Sequence, residues 1–277
     1  MDPTWIRPRL RWAIRLVRQV GRQLRQAWGQ SDGPVPMEWK DEDRRHPVTR
    51  LDRVVEETIV RRIFEKDPKA QVLTEESGLL GPAHSKTRWI LDPIDGTSNF
   101  IHRFPHFAIS LALEYEGHVV LGVVYDPIKR ECFWAGTGMG AFLNGRPIRV
   151  SSVRALNEAL LGTGFTHQIY ERMDRTLQIF RGFLYAAMGI RRAGAAALDL
   201  CYVAAGRLDG FWEEDLSPWD IAAGVLILQE AGGRWTDFAL QPTSIYDGEL
   251  LASNGLIHDQ MGEAIRWALS SNGQAGR

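Results

Sequence analysis

Short apolar runs that end in carboxylates recur along this chain, and they restrict its fold more than any other feature. Val72-Leu73-Thr74-Glu75 and Trp89-Ile90-Leu91-Asp92 look like buried strands whose C-terminal ends deliver acids to one place. The sharpest segment is Trp89–Phe100 (WILDPIDGTSNF). Pro93 disfavours helical geometry at Asp92, so the strand is expected to end there, with Asp92 and Asp95 three residues apart in a turn. Two like charges crowded into a turn are unfavourable unless a cation sits between them. Gly96 removes a side chain and admits close backbone approach, and the amides of Gly96 and Thr97, opening a short helix, would form an anion site beside the carboxylates. Alone, the D-x-x-D-G pattern is better explained by an Asx turn.

A second acidic segment weakens that simpler explanation. In Ser217-Pro218-Trp219-Asp220, serine as N-cap and proline at the first helical position mark a helix start. Asp220 falls at the third helical position, where closing a capping box would account for it without any ligand. Ala222, Ala223 and Gly224 then permit close helix packing. Glu75-Glu76 would ordinarily be solvated acids after a strand, although Glu75 follows a buried run and is placed to enter the same cleft. Thr49-x-x-Asp52 reads as another capping box, ahead of the periodic Val54, Val55, Ile59 and Ile63.

Around these segments the chain reads as α+β. Strands joined by tight turns are expected at 108–115 and 119–125, flanking Glu116-Gly117, and again at 132–135 and 141–143. Helices are expected near 168–188, 195–206, 218–232 and 257–270, and 30–43 reads as a loop. No linker is evident, so residues 1–277 are taken as one domain with two lobes, roughly 1–150 and 151–277. Residues 1–30 carry seven arginines and one acid, with Leu10, Ile14, Val17, Gly21, Leu24 and Trp28 at helical spacing. The arginines interrupt every apolar stretch, which excludes a secretory signal, and no run is long enough to span a membrane. This helix reads first as a packed element with a solvated basic face, and secondly as a nucleic-acid or lipid contact. Two cysteines without metal-ligand spacing and a formal net charge of −1 suggest a reducing, cytoplasmic setting and no global attraction for polyanions.

Taken together, the segments resemble the inositol monophosphatase family, especially its bacterial members. The specific matches are Trp89–His102 (WILDPIDGTSNFIH) and Trp219–Gly233 (WDIAAGVLILQEAGG), supported by Thr49–Asp52, Glu75-Glu76-Ser77, Phe142–Ser151 and Arg191–Asp209. The resemblance implies the five-layer α-β-α-β-α sandwich of the inositol monophosphatase and fructose-1,6-bisphosphatase type, commonly a homodimer. It implies lithium-sensitive, magnesium-dependent hydrolysis of a small phosphomonoester such as inositol 1-phosphate. By the same resemblance, Glu75, Asp92 and the carbonyl of Ile94 would hold one Mg²⁺. Asp92, Asp95 and Asp220 would hold a second, and a third, weaker ion would lie near Glu75. Thr97 and Asp52 would orient and deprotonate the attacking water, and the Gly96 and Thr97 amides would receive phosphate. Gly194, Ala195, Ala196 and Glu213 would contact substrate.

The chain departs from the family pattern at several points. Thr74 stands where glycine is usual, His46 where an acid is common, and Lys40 matches an active-site lysine only approximately. Ala195 replaces a more frequent serine or threonine, and the loop 77–88 is short. These departures bear on the choice among inositol, histidinol, sugar and nucleotide phosphates rather than on the reaction class. A regulatory RNA- or transcription-associated binding role is the reading from a different class.

Overall fold

The computed structural model describes residues 3–29, 35–39, 47–165 and 169–270, with side chains left out at 169–171. Lys40, His46 and parts of the expected loop 30–43 lie outside the described residues, as does residue 168. Helix α1 (Pro3–Gly29) leads to a small antiparallel pair, β1 (Met37–Trp39) with β2 (Pro47–Thr49), and then to α2 (Arg50–Lys66). The strand at β1 corrects the expectation of continuous loop, since Met37–Trp39 pairs with the residues entering α2.

An eight-stranded sheet follows. It is built from β3 (Gln71–Thr74), β4 (Gly78–Leu80), β5 (Thr87–Asp95), β6 (Ala108–Tyr115), β7 (His118–Asp126), β8 (Glu131–Gly136), β9 (Ala141–Leu143) and β10 (Arg146–Pro147). Its order is β10-β9-β8-β7-β6-β5-β3-β4, with the five-residue α3 (Thr97–Ile101) inserted after β5. The expected hairpin is present: Glu116 (φ 49°) and Gly117 (φ 83°) turn β6 into β7, a left-handed pair that suits a two-residue connection.

The second half contributes β11 (Leu160–Thr163), α4 (Ile169–Ala186), β12 (Gly189–Arg191), α5 (Ala196–Ala204), β13 (Gly210–Glu213), α6 (Pro218–Glu230), β14 (Arg234–Thr236), β15 (Leu250–Ser253) and α7 (His258–Leu269). Its strands form a five-stranded sheet in the order β12-β11-β13-β15-β14. The four expected helices are all present with slightly shorter ends.

Side-chain alternation along the strands makes the layers. Trp89, Leu91, Ile109, Leu111, Leu121 and Val123 pack against α1 and α2. From the opposite face Ile90, Ala112, Val124 and Phe133 meet α5 and α6, whose far sides receive Phe211, Leu250 and Ala252 of the small sheet. Leu161, Trp212 and Leu251 then meet α4 and α7. The result is an α-β-α-β-α sandwich. Close approach in the middle depends on small residues: a Cβ on Gly122 of β7 would stand 2.7 Å from the carbonyl oxygen of Ala223 in α6, and one on Gly224 would stand 2.7 Å from the Leu200 side chain. The small run in α6 therefore packs as its composition suggested.

One buried histidine ties the small sheet to the outer helical layer. His258, fully buried at the start of α7, places Nε2 2.9 Å from Thr236 Oγ1 and Nδ1 2.9 Å from Ser253 Oγ, joining β14, β15 and α7. Burial pushes its pKa from 6.5 down to about 4, with Arg234 adding to the depression and Asp259 opposing it. Between these values the unfolded chain binds the extra proton, so folding stability rises with pH across that window and is lost as pH falls through it. Urea midpoints of the natural chain are expected to drop between pH 7 and pH 4.5 more steeply than those of a His258→Gln variant.

Candidate functional site

The acids meet because β3 and β5 run parallel, with Thr74 opposite Leu91. One step further along each strand stand Glu75 and Asp92, side by side at the same sheet end. Asp92 does not end its strand, as the following proline suggested. Strand β5 continues to Asp95, and its register with β6 shifts between Asp92, opposite Ser110, and Asp95, opposite Ala108. Simple alternation would send residues three apart to opposite faces, and the irregularity re-aims Asp95 toward the side of Asp92. Asp92 Oδ1 accepts the Ile94 N–H at 2.9 Å, closing a local turn over Pro93, which has no N–H of its own.

Past Asp95 the chain turns at Gly96, whose φ is 91°; a Cβ there would lie 3.1 Å from the carbonyl oxygens of both Gly194 and His106. The conformation and the crowding both call for glycine. Thr97 then opens α3, and its hydroxyl lies 3.1 Å from Asp52 Oδ1 and 3.0 Å from the Ile94 carbonyl. Its single proton serves one of the two at a time. Asp52 also performs the capping-box task read from its spacing, since its Oδ2 accepts from the Thr49 N–H at 2.8 Å and the Thr49 hydroxyl at 2.6 Å. It is fully buried, and its hydrogen bond to the site runs through the Thr97 hydroxyl.

A cavity of about 430 Å³ opens above this corner, lined among others by Glu75, Asp92, Ile94, Asp95, Gly96, Thr97, Gly194, Ala195, Ala196, Glu213 and Asp220. Every site residue singled out in the sequence therefore lines one space, Asp52 excepted. Asp220 performs the capping task read from its spacing, its Oδ2 accepting the Ser217 N–H at 2.7 Å, and the residue also lines the cavity.

Three features were not visible in the sequence. Asp95 Oδ2 accepts the Ala197 N–H at 2.9 Å, so a residue 102 positions away supplies the helix cap that Ala195, with its methyl side chain, cannot. The Asn99 amide donates to the carbonyls of His106 (2.7 Å) and Ala193 (2.8 Å), clamping the 193–196 loop over α3. Arg192 is the one cation among the described residues lining the cavity, where it faces seven carboxyl side chains. None has a local spacing signal, because each depends on segments far apart in the chain.

The electrostatics of the site are those of crowded acids. Burial holds the Asp92 carboxyl well above the usual carboxylate range, and Glu75, Asp95, Asp220 and Asp52 push it further. Asp95 is raised by burial, Asp220 and Asp199, against the opposing N–H groups of Ala197 and Leu198. Glu213 is raised by burial and Asp220, with Arg192 pulling the other way. Asp52 is raised by burial, against its Thr49 hydrogen bonds. Neutralising such a cluster takes either protons or a hard cation. Among the described residues no three acidic, histidine or cysteine side chains already close round a single point to form an ion-holding group. The donor chemistry nevertheless fits Mg²⁺: the lining acids offer only oxygen, in numbers that exceed the available positive charge, around a space wide enough for ions and a small substrate.

Comparison with known proteins agrees with this architecture. Residues 5–271 match the model of the inositol monophosphatase family. The "Nus factor SuhB" of Pseudomonas aeruginosa is 42% identical over 254 residues, covering 90% of this chain and 92% of that protein. The "Inositol-1-monophosphatase" of Synechocystis is 41% identical over 218 residues, covering 79% and 76%. Among solved structures, the Thermotoga maritima IMPase superposes with a TM-score of 0.85 at 37% identity, covering 95% of this chain and 98% of that one. At the centre of the site, a Gly96→Ala substitution is expected to cost about 1–2 kcal/mol for left-handed geometry alone, read as a lower urea midpoint.

Proposed function

The chain belongs to the inositol monophosphatase family, and from that premise we propose that it is a magnesium-dependent phosphoric monoester hydrolase whose substrate is inositol 1-phosphate. The observation that carries this reading is the meeting of Glu75, Asp92, Asp95 and Asp220 around one cavity, where Glu75, Asp95 and Asp220 raise the affinity of Asp92 for positive charge and Asp220 raises that of Asp95. In this reading Glu75, Asp92 and the Ile94 carbonyl hold one Mg²⁺, and Asp92, Asp95 and Asp220 hold a second. A third ion associates weakly with Glu75.

When bound, magnesium neutralises the phosphate dianion, activates water and stabilises the departing alkoxide. The chain's own residues do the rest. The Gly96 and Thr97 amides at the start of α3 receive phosphate oxygens. Thr97 accepts a hydrogen bond from the attacking water and hands its own proton to Asp52 as the water loses one, an exchange for which their 3.1 Å separation is suitable. The water oxygen attacks phosphorus in line, the ester P–O bond breaks, and the departing alkoxide takes a proton from solvent water while Asp52 returns the proton it received to solvent. Glu213 accepts hydrogen bonds from substrate hydroxyls, and the Gly194-Ala195-Ala196 loop packs beside the ring. No side chain forms a bond to phosphorus in this scheme. The protein acts in the cytoplasm as a homodimer, and lithium inhibits it.

A second reading rests on α1, which contains no acidic residue and exposes Arg7, Arg11, Arg15 and Arg22. With Arg18 and Arg25 they fall within roughly 80° of the helix circumference, along about 27 Å of its length. Relatives named Nus factors give this stripe a context: contact with nucleic acid or the transcription machinery, alongside or in place of catalysis.

The two readings separate experimentally. Phosphate release from inositol 1-phosphate is expected only with Mg²⁺ and to fall at least about 10³-fold in Asp95→Asn, while turnover of histidinol phosphate or fructose 1,6-bisphosphate instead would reassign the substrate. Charge reversal at Arg11, Arg15, Arg18 and Arg22 is expected to leave that turnover intact and to weaken salt-dependent RNA retention in a filter-binding assay.

A further inference from the structure

Helix α2 carries a second buried acid that the metal-holding set does not use. Glu56 lies four residues after Asp52, on the same helix face and one turn further on. It is 3% exposed, and no basic side chain pairs with it among the described residues. Its carboxylate instead takes three donors from the end of β3 and the turn that follows it. Oε2 accepts from the Thr74 hydroxyl and, at 3.0 Å, from the Glu76 N–H; Oε1 accepts from the Ser77 hydroxyl. These donors bracket Glu75 on both sides.

A buried carboxylate is costly unless its oxygens are well supplied with donors, so its position fixes theirs. Thr74 is itself fully buried, and its hydroxyl is the contact that a glycine at this place would lack. Through α2 the same rigid element holds Asp52 against Thr97 and Glu56 against the Glu75 turn, which sets the spacing between the two sides of the site.

We propose that Glu56 is a positioning residue for Mg²⁺ binding: its carboxylate, gripping Thr74, Glu76 and Ser77, holds Glu75 aimed at Asp92, with Thr74 and Ser77 as its side-chain partners in this task. The proposal rests on the reading of Glu75 as a magnesium-holding residue. Hydrogen bonds of this outer kind commonly change metal affinity by about 10–100-fold when removed.

The test is calorimetric titration of the full chain with Mg²⁺ alone, at a temperature where circular dichroism shows each variant fully folded. Glu56→Gln is expected to weaken Mg²⁺ binding by about 10–100-fold, and Thr74→Val and Ser77→Ala by smaller factors. Because Thr74 acts through Glu56, the Glu56→Gln/Thr74→Val pair is expected to fall well short of the product of the single effects. Wild-type Mg²⁺ affinity in Glu56→Gln, even with a lowered unfolding midpoint, overturns the proposal and leaves Glu56 a purely structural acid. Should Glu56→Gln not fold, unaltered affinity in both Thr74→Val and Ser77→Ala overturns it equally. Glu75→Gln distinguishes the two levels of inference. If it weakens Mg²⁺ binding while Glu56→Gln does not, only the positioning role fails; if neither changes affinity, the magnesium role of Glu75 fails as well.

Discussion

Everything at the working end of this molecule depends on the cost of bringing like charges together out of water. Asp92 and Asp95 are almost fully buried, and each is pushed toward protonation by its neighbours as well as by burial. A folded chain tolerates such a cluster only if the surrounding architecture is rigid and the donors are well placed. The sandwich meets both conditions. Strands β3 and β5 hold Glu75 and Asp92 in register, α6 presents Asp220 from its first turn, and backbone N–H groups at Ile94, Ala197 and Ser217 each occupy one carboxyl oxygen. The acids proposed to hold a hard cation are thus fixed in place by interactions made within the chain.

The acids of the proposed site also serve the fold. Asp52 and Asp220 make N-terminal capping contacts at the helices that carry them, and Asp95 caps one to which it does not belong. Their structural work does not compete with the chemical role proposed for them. Helix N-termini favour carboxylates for the same electrostatic reason that cations do, so one placement satisfies both demands. The loop at 193–196 illustrates the same economy, because Asn99 secures it from α3 by main-chain contacts that do not depend on the side chain at Ala195.

Much of this was legible in the amino-acid order. The alternation of apolar residues in 108–125 located the central hairpin, Ser217-Pro218 located the start of α6, and Thr49-x-x-Asp52 located that of α2. Segments matching a known family identified the cavity-lining acids. What could not be read were relations between distant segments. Pro93 suggested a strand end at Asp92, whereas pairing with β6 carries the strand on through an irregularity to Asp95. The grip of Glu56 on the Glu75 turn, the clamp of Asn99 and the facing of Arg192 toward the acids exist only once the sheets are assembled. Propensity and periodicity describe neighbours along a chain, and these contacts join residues that are neighbours only in space.

The bond from Ala197 to Asp95 has a reach beyond local capping. Helix α5 lies in the layer shared by both sheets, so the carboxylate that faces the cavity is also a fastener of the innermost part of the sandwich. By thermodynamic reciprocity, any cation drawn to that carboxylate and the seating of α5 cannot be independent. Loosening the central layer would register as a poorer grip on ions, and ion loading would be felt as cohesion between the two halves of the molecule.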